Sequence, residues 1–238
     1  MTVSLSALGT RALLLDIEGT TTPIAFVYDV LFGYARTHAA DYLHREGESA
    51  PCRAALEQLH AEQAADRERG ADPPALMLNY IRWLMDCDRK SPGLKALQGL
   101  IWQEGFESGE LHGQVYPDVP AAFDRWRQRG LDVYIYSSGS VLAQQLLFRS
   151  TEAGDLTKCL NGYFDTAVGP KVSPDSYLTI AARVDIPPHE ILFVSDVVQE
   201  LDAARTSRVG TALCVRGPNV PAGAESHPVI RSFDEIVN

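Results

Sequence analysis

Asp16-Ile17-Glu18-Gly19-Thr20 sets two carboxyl groups two residues apart, directly after the apolar run Ala12-Leu13-Leu14-Leu15. A carboxylate at the end of a buried strand can attack phosphorus, and aspartyl phosphates are a covalent solution to phosphoryl transfer. The nucleophile is itself an anion, so attack needs a cation to cancel its repulsion from the phosphate. Once the chain turns, Glu18 lies close enough to serve as acid and then as base. Gly19 permits the tight turn and Thr20 can fix it through its hydroxyl. The competing reading of these five residues is a helix cap at Asp16 beside a solvated glutamate.

Three further segments carry the same kind of chemistry. Tyr136-Ser137-Ser138-Gly139-Ser140 follows a second apolar run and opens a helical pattern; hydroxyls and free N–H groups at a helix start bind anions. It is not a GxSxG elbow, because no glycine stands two before either serine. In isolation a simple helix cap is the commoner explanation of such a segment. Lys171 sits in the rigid turn Gly169-Pro170-Lys171-Val172-Ser173-Pro174. In Val194-Ser195-Asp196-Val197 an acid stands immediately after a strand that should be buried, which is costly unless the acid is paired or metal-bound. Glu200, four residues on, falls one helical turn away and can support the metal's surroundings. A hard oxygen site built from Asp16, Asp196 and the phosphate suits Mg2+, which takes few protein carboxylates and keeps several waters.

These residues need a scaffold that brings them to one edge. The runs Ala12–Leu15, Val133–Tyr136, Ile191–Val194 and Ala212–Val215 read as buried parallel strands, and Thr166–Val168 is a fifth, weaker candidate. Helical patterns at Asp118–Arg129, Ser140–Phe148, Ser173–Val184 and Gln199–Ser207 alternate with them. The predicted fold is α/β, a doubly wound parallel sheet. Residues 23–115 contain no strand run but helical patterns at Phe26–Leu43, Cys52–Arg69, Pro74–Met85 and Lys95–Phe106. They read as a helical cap inserted after the first strand, with residues 1–22 and 116–238 forming the catalytic core. In an open parallel sheet ligands bind beyond the carboxyl ends of the strands, which is where Asp16, Ser137 and Asp196 fall, with Lys171 just past the weak strand.

Bulk properties narrow the partners. The 238 residues carry a formal net charge of -10, which argues against a nucleic-acid partner needing a basic footprint. A small phosphate ester is still admissible, since one metal ion and one lysine can invert the field inside a pocket. Cys52, Cys87, Cys159 and Cys214 form no CxxC pair and the six histidines no ligand spacing, so neither zinc nor a disulfide framework is expected and a reduced, cytoplasmic setting fits. No apolar run reaches the roughly 18 residues of a membrane span, and Ala12–Leu15 is too short for a signal peptide. Nothing demands more than a monomer.

Taken in order, the aspartate motif, strand-end serine, lysine and acidic metal motif resemble the haloacid dehalogenase superfamily. Asp16 through Ile24, Ile135 through Ser140 and Ser195-Asp196-Val197 are similar to the enolase-phosphatases (acireductone synthases) of methionine salvage. So are Asp88-Arg89-Lys90, Lys95 through Trp102, Gly113 and Val115 through Val119. The resemblance runs from about Ala12 to Pro218. Glu18 departs from the aspartate usual in the wider superfamily but agrees with this group. The resemblance implies a Mg2+-dependent phosphoric monoester hydrolase that enolises 2,3-diketo-5-methylthiopentyl 1-phosphate and then removes the phosphate through an aspartyl phosphate. It makes Asp16 nucleophile and metal ligand, Glu18 proton carrier and metal helper, and Asp196 the metal anchor. Ser137, Ser138 and Lys171 bind substrate. Arg89, Lys90, Lys95 and Trp102 become candidates for selecting the substrate from the cap. The alternatives are a phosphatase of the same superfamily for another small metabolite, which shares the core, and a non-catalytic phosphate-binding module, which would normally have lost one of the carboxylates. A dehalogenase would gain nothing from Asp196.

Overall fold

The computed structural model describes residues 2–87, 89 and 91–237. The chain divides into two compact units, residues 1–24 with 113–238 and residues 25–112.

The first unit opens with β1 (Val3–Ser4), the one-turn helix α1 (Leu5–Leu8) and β2 (Ala12–Leu15). All four residues of β2 are buried, because it is covered on both faces and paired along both edges. The second unit follows: a π-helical turn at Phe26–Phe32, then α2 (Gly33–Glu46), α3 (Ala50–Glu68), α4 (Met77–Asp86) and α5 (Pro92–Ser108). The chain returns through α6 (Asp118–Gln128), β3 (Asp132–Tyr136), α7 (Val141–Arg149), β4 (Gly162–Phe164), α8 (Pro174–Val184), β5 (Ile191–Ser195) and α9 (Val198–Thr206). It ends with β6 (Gly210–Cys214), β7 (Val229–Ile230) and β8 (Ile236–Val237).

Six strands form one parallel sheet in the order β4-β3-β2-β5-β6-β7. The chain builds outward from β2 to β4 on one side and then crosses to β5 on the other. The crossover makes the carboxyl end of β2 the switch point of the sheet, where ligands of such folds bind. Leu15 is level with both Ile135 and Val194, so Asp16, the next residue, is flanked by the ends of β3 and β5. A second, two-stranded parallel pairing joins β1 to β8.

The weak strand expected at Thr166–Val168 is a 3-10 turn instead. The Asp165 side chain accepts from Ala167 N at 2.9 Å and turns the chain at that point. The strand lies just upstream, where Gly162, Tyr163 and Phe164 pair with Tyr134, Ile135 and Tyr136. Lys171 therefore stands past a turn that follows the strand, not directly past the strand.

The inserted unit is helical throughout its described secondary structure. α5 packs on α3 and α2, and Gly93 makes the first contact possible: a β-carbon there would fall 2.8 Å from Leu59 Cγ. No helix among the described residues is long and apolar enough to cross a membrane.

Candidate active site

Asp16 continues the line of β2 by donating its N–H to Val194 O at 3.0 Å. Its carboxylate is buried and has a different partner on each oxygen. Oδ1 accepts from Ile17 N at 2.8 Å and faces Lys171 Nζ at 2.6 Å. Oδ2 lies 3.3 Å from Ser195 Oγ. The turn that follows is closed by Thr20, Thr21 and Thr22, whose N–H groups all donate to Ile17 O, and by the Thr21 hydroxyl on Asp16 O at 3.0 Å.

Lys171 arrives on the loop between the 3-10 turn and α8, and its ammonium is one of the most enclosed charges in the unit. Nζ lies 2.6 Å from Glu200 Oε2 as well as from Asp16. The rings of Tyr136 and Phe193 stand 5.8 and 5.9 Å from it. The Tyr177 hydroxyl donates to Lys171 O at 2.6 Å, fixing the backbone beneath the side chain. Burial alone would depress the lysine, but the charges of Asp16 and Glu200 outweigh it and hold its pKa above the ordinary value. Glu200 takes the opposite side of this balance. Burial and the neighbouring Asp16 push its carboxyl up, and Lys171 only partly opposes them. Ser195 Oγ also lies 3.0 Å from Glu200 Oε2 and accepts from Val197 N at 3.1 Å, so its single proton serves one carboxylate at a time.

Asp196 follows β5 directly and is half-buried, with no basic partner at ion-pair distance among the described residues. Burial, then the charge of Asp16, raises its pKa to about 7. Gly19 makes room for it. With φ at 69° its backbone is in the region that favours glycine, and a β-carbon there would fall 2.7 Å from Asp196 Cγ.

The residues present fit a divalent cation of the magnesium type. Asp16, Glu200 and Asp196 supply three negative charges and Lys171 a single positive one, so the ionised cluster is two charges short of neutral. The donors are hard oxygens, and Mg2+ is commonly held by only one or two carboxylates with waters completing its shell. No group of three His, Cys, Asp or Glu side chains among the described residues is gathered as a metal cage. Asp16 and Asp196, at the neighbouring ends of β2 and β5, are the carboxylates that would hold such an ion. Glu18 stands half-buried in the turn, its backbone bridged to Thr22.

Ser137 and Ser138 fall at the carboxyl end of β3, as their place in the sequence predicts. Ser137 is buried, donates its N–H to Phe164 O at 3.2 Å and accepts on Oγ from Gly139 N at 3.1 Å. Its own proton can go to a phosphate oxygen. Ser138 is exposed. The cap of α7 is Ser140, which accepts from Ala143 N at 3.3 Å.

Two of the residues expected to select substrate have partners inside the helical unit. Arg89 makes a two-pronged ion pair with the buried carboxylate of Asp66, which also accepts from Tyr80 at 2.8 Å. Trp102 is buried, donates Nε1 to Leu31 O at 2.7 Å and stacks on Phe32. Lys95 is half-buried on α5. Asp88 and Lys90 lie outside the described residues. Sequence reasoning did not find Tyr177, whose only signal was its place one helical turn into α8, or Arg216, described below.

Residues 10–207 match the family model of the haloacid dehalogenase-like hydrolases. The chain is 49% identical over 231 residues to enolase-phosphatase E1 of Synechococcus elongatus, covering 94% of this chain and 96% of that protein. It is 47% identical over 228 residues to enolase-phosphatase E1 of Pseudomonas aeruginosa, with 95% and 98% covered. Among solved structures it resembles the UTR4 protein of Saccharomyces cerevisiae, with a TM-score of 0.78 at 34% identity over 94% of this chain and 99% of that one.

Proposed function

The chain belongs to the haloacid dehalogenase-like hydrolase family, and from that premise we propose that it is an enolase-phosphatase working on Asp16. Its substrate is 2,3-diketo-5-methylthiopentyl 1-phosphate, which is enolised and then dephosphorylated to the acireductone. The observation that carries this reading is the contact of Lys171 with Asp16 and Glu200 at the switch point of the sheet. It presents a nucleophile, a charge-cancelling cation and a second anchoring anion in one buried array.

In the phosphatase half-reaction an Asp16 oxygen bonds to phosphorus as the bond from phosphorus to the ester oxygen breaks. Glu18 gives its proton to the departing oxygen, then takes one from the water that cleaves the aspartyl phosphate. That cleavage returns Asp16 and inorganic phosphate. Lys171, anchored by Glu200, offsets the phosphoryl charge, and Ser137 and Ser138 hold its oxygens. Asp16 and Asp196, with help from Glu18, would hold the Mg2+, which when bound polarises the substrate oxygens and neutralises charge. Every one of these groups comes from one chain, so a monomer suffices.

The test is phosphate release from the diketone phosphate beside simple sugar phosphates, with and without Mg2+. Turnover that needs Mg2+ and strongly prefers the diketone ester is expected. Equal rates on all esters would reduce the assignment to a general phosphatase.

A further inference from the structure

Arg216 is the second residue past β6, and its side chain reaches the backbone of the nucleophile turn. Its Nε and Nη2 both donate to Thr20 O, at 3.0 and 2.8 Å, so two prongs of one guanidinium hold one carbonyl. Nη1 donates to Asp118 Oδ2 at 2.8 Å. The guanidinium lies between two rings, 4.2 Å from the centre of Tyr116 and 4.9 Å from that of Phe233. Side-chain exposure is 9% for Arg216 and 11% for Asp118. Asp118 is tied down in turn, accepting from the Ser232 hydroxyl at 3.0 Å and Phe233 N at 2.6 Å. Beside this anchor, Tyr116 N donates to Thr21 O at 2.9 Å.

A buried charged pair is weak evidence for stability, because desolvation offsets most of the attraction. What this pair does is locate a carbonyl. Thr20 O belongs to the residue after Gly19, and Gly19 is the backbone that makes room for the Asp196 carboxylate. A rigid fork on Thr20 therefore sets the distance between the turn carrying Asp16 and the strand end carrying Asp196. We propose that Arg216 is a positioning residue for the metal-binding geometry, gripping the nucleophile turn through Thr20 while Asp118, Tyr116 and Phe233 hold the guanidinium still. This inference rests on the reading of Asp16 and Asp196 as the metal's carboxylates.

The test uses Arg216→Lys, which keeps the charge but loses the planar fork. Mg2+ binding is followed by calorimetry and by the metal-induced rise in melting temperature, alongside kcat and KM. Phe123→Leu, a buried core change on α6 that removes none of the groups in contact with the Arg216 guanidinium, serves as a variant of lowered stability. Expected for R216K is a loss of Mg2+ affinity of roughly 10- to 100-fold, the range for residues that orient ligands, with kcat falling and KM for the ester moving little. F123L should bind Mg2+ as the wild type does. If R216K does not fold, D118N loosens the same anchor and takes the same measurements. Wild-type Mg2+ affinity in the variant with the broken anchor, or an equal loss in F123L, overturns the proposal. A wild-type protein indifferent to Mg2+ would instead overturn the metal-site reading beneath it.

Discussion

Gly19 and Asp196 touch so closely that the backbone of one leaves no room for a methyl group against the carboxylate of the other. If Asp196 anchors Mg2+ as proposed, the contact ties the turn glycine to the metal as well as to the turn. Gly19→Ala should cost about 1–2 kcal/mol through its left-handed backbone and should displace Asp196. Mg2+ affinity is expected to fall by at least about 10-fold. Calorimetric titration of the variant with Mg2+ is the check, and an unchanged affinity would show that Asp196 does not need this approach.

Asp196→Asn should weaken Mg2+ binding more than it disturbs the fold. The raised pKa gives the sign of a pH effect. A carboxyl whose folded pKa exceeds its unfolded one disfavours its charged form in the fold, so it destabilises the metal-free protein increasingly as pH rises from about 4 to about 7. The asparagine variant lacks this loss and should melt at or above the wild type at pH 8 without metal. Mg2+ must compete with the proton, so wild-type affinity should climb with pH up to about 7 and level off above it. Melts and Mg2+ titrations across pH 5.5–8.5 test both halves.

Lys171→Met leaves Asp16 and Glu200 buried without their shared cation. Removing one partner of a buried pair commonly costs about 3–5 kcal/mol, so the single variant should be clearly destabilised as well as inactive. Adding Glu200→Gln removes one stranded charge. The double variant should recover stability but no phosphatase activity, which separates the folding role of the cluster from its catalytic one. Denaturant unfolding of both variants decides it; recovery of activity in the double variant would remove Lys171 from the chemistry.

Phosphoryl transfer and enolisation should part company at Asp16. An amide cannot serve as the nucleophile, yet Asp16→Asn keeps the side chain's size and one oxygen toward the metal. At saturating Mg2+ the variant should release no phosphate and still convert the diketone to its enol phosphate, seen as new ultraviolet absorbance and a shifted phosphorus resonance. A diketone left untouched would make Asp16 the base for enolisation or indispensable to the metal site.

The residues legible in the sequence were those standing immediately past a long buried run, where a polar group must have a partner. Asp16 and Asp196 satisfy that rule, and the parallel sheet follows from the same apolar runs. Arg216 satisfies it too, directly after Val215, but its partner Asp118 lies 98 residues away and neither forms a motif with the other. Thr166–Val168 misled because a β-branched composition describes half-buried surface, whereas one Asp165 hydrogen bond decides the turn. The strand beside it begins at a glycine and spans three residues, too few for a period to register. Charge and aromatic area serve a helical core as readily as a ligand, so the sequence could not tell which of the two Arg89 and Trp102 serve. Their contacts with Asp66 and Leu31 were not inferable from spacing.

The bond from Tyr116 N to Thr21 O joins the two points where the insertion leaves and rejoins the sheet-bearing unit. Closing a flexible segment costs only about 0.6 kcal/mol more for each doubling of its length, and an insertion held at both ends leaves the strand order undisturbed. The helical unit is in effect a cassette. Residues can be added to it or exchanged within it while Asp16, Lys171 and Asp196 keep their places on the sheet-bearing unit.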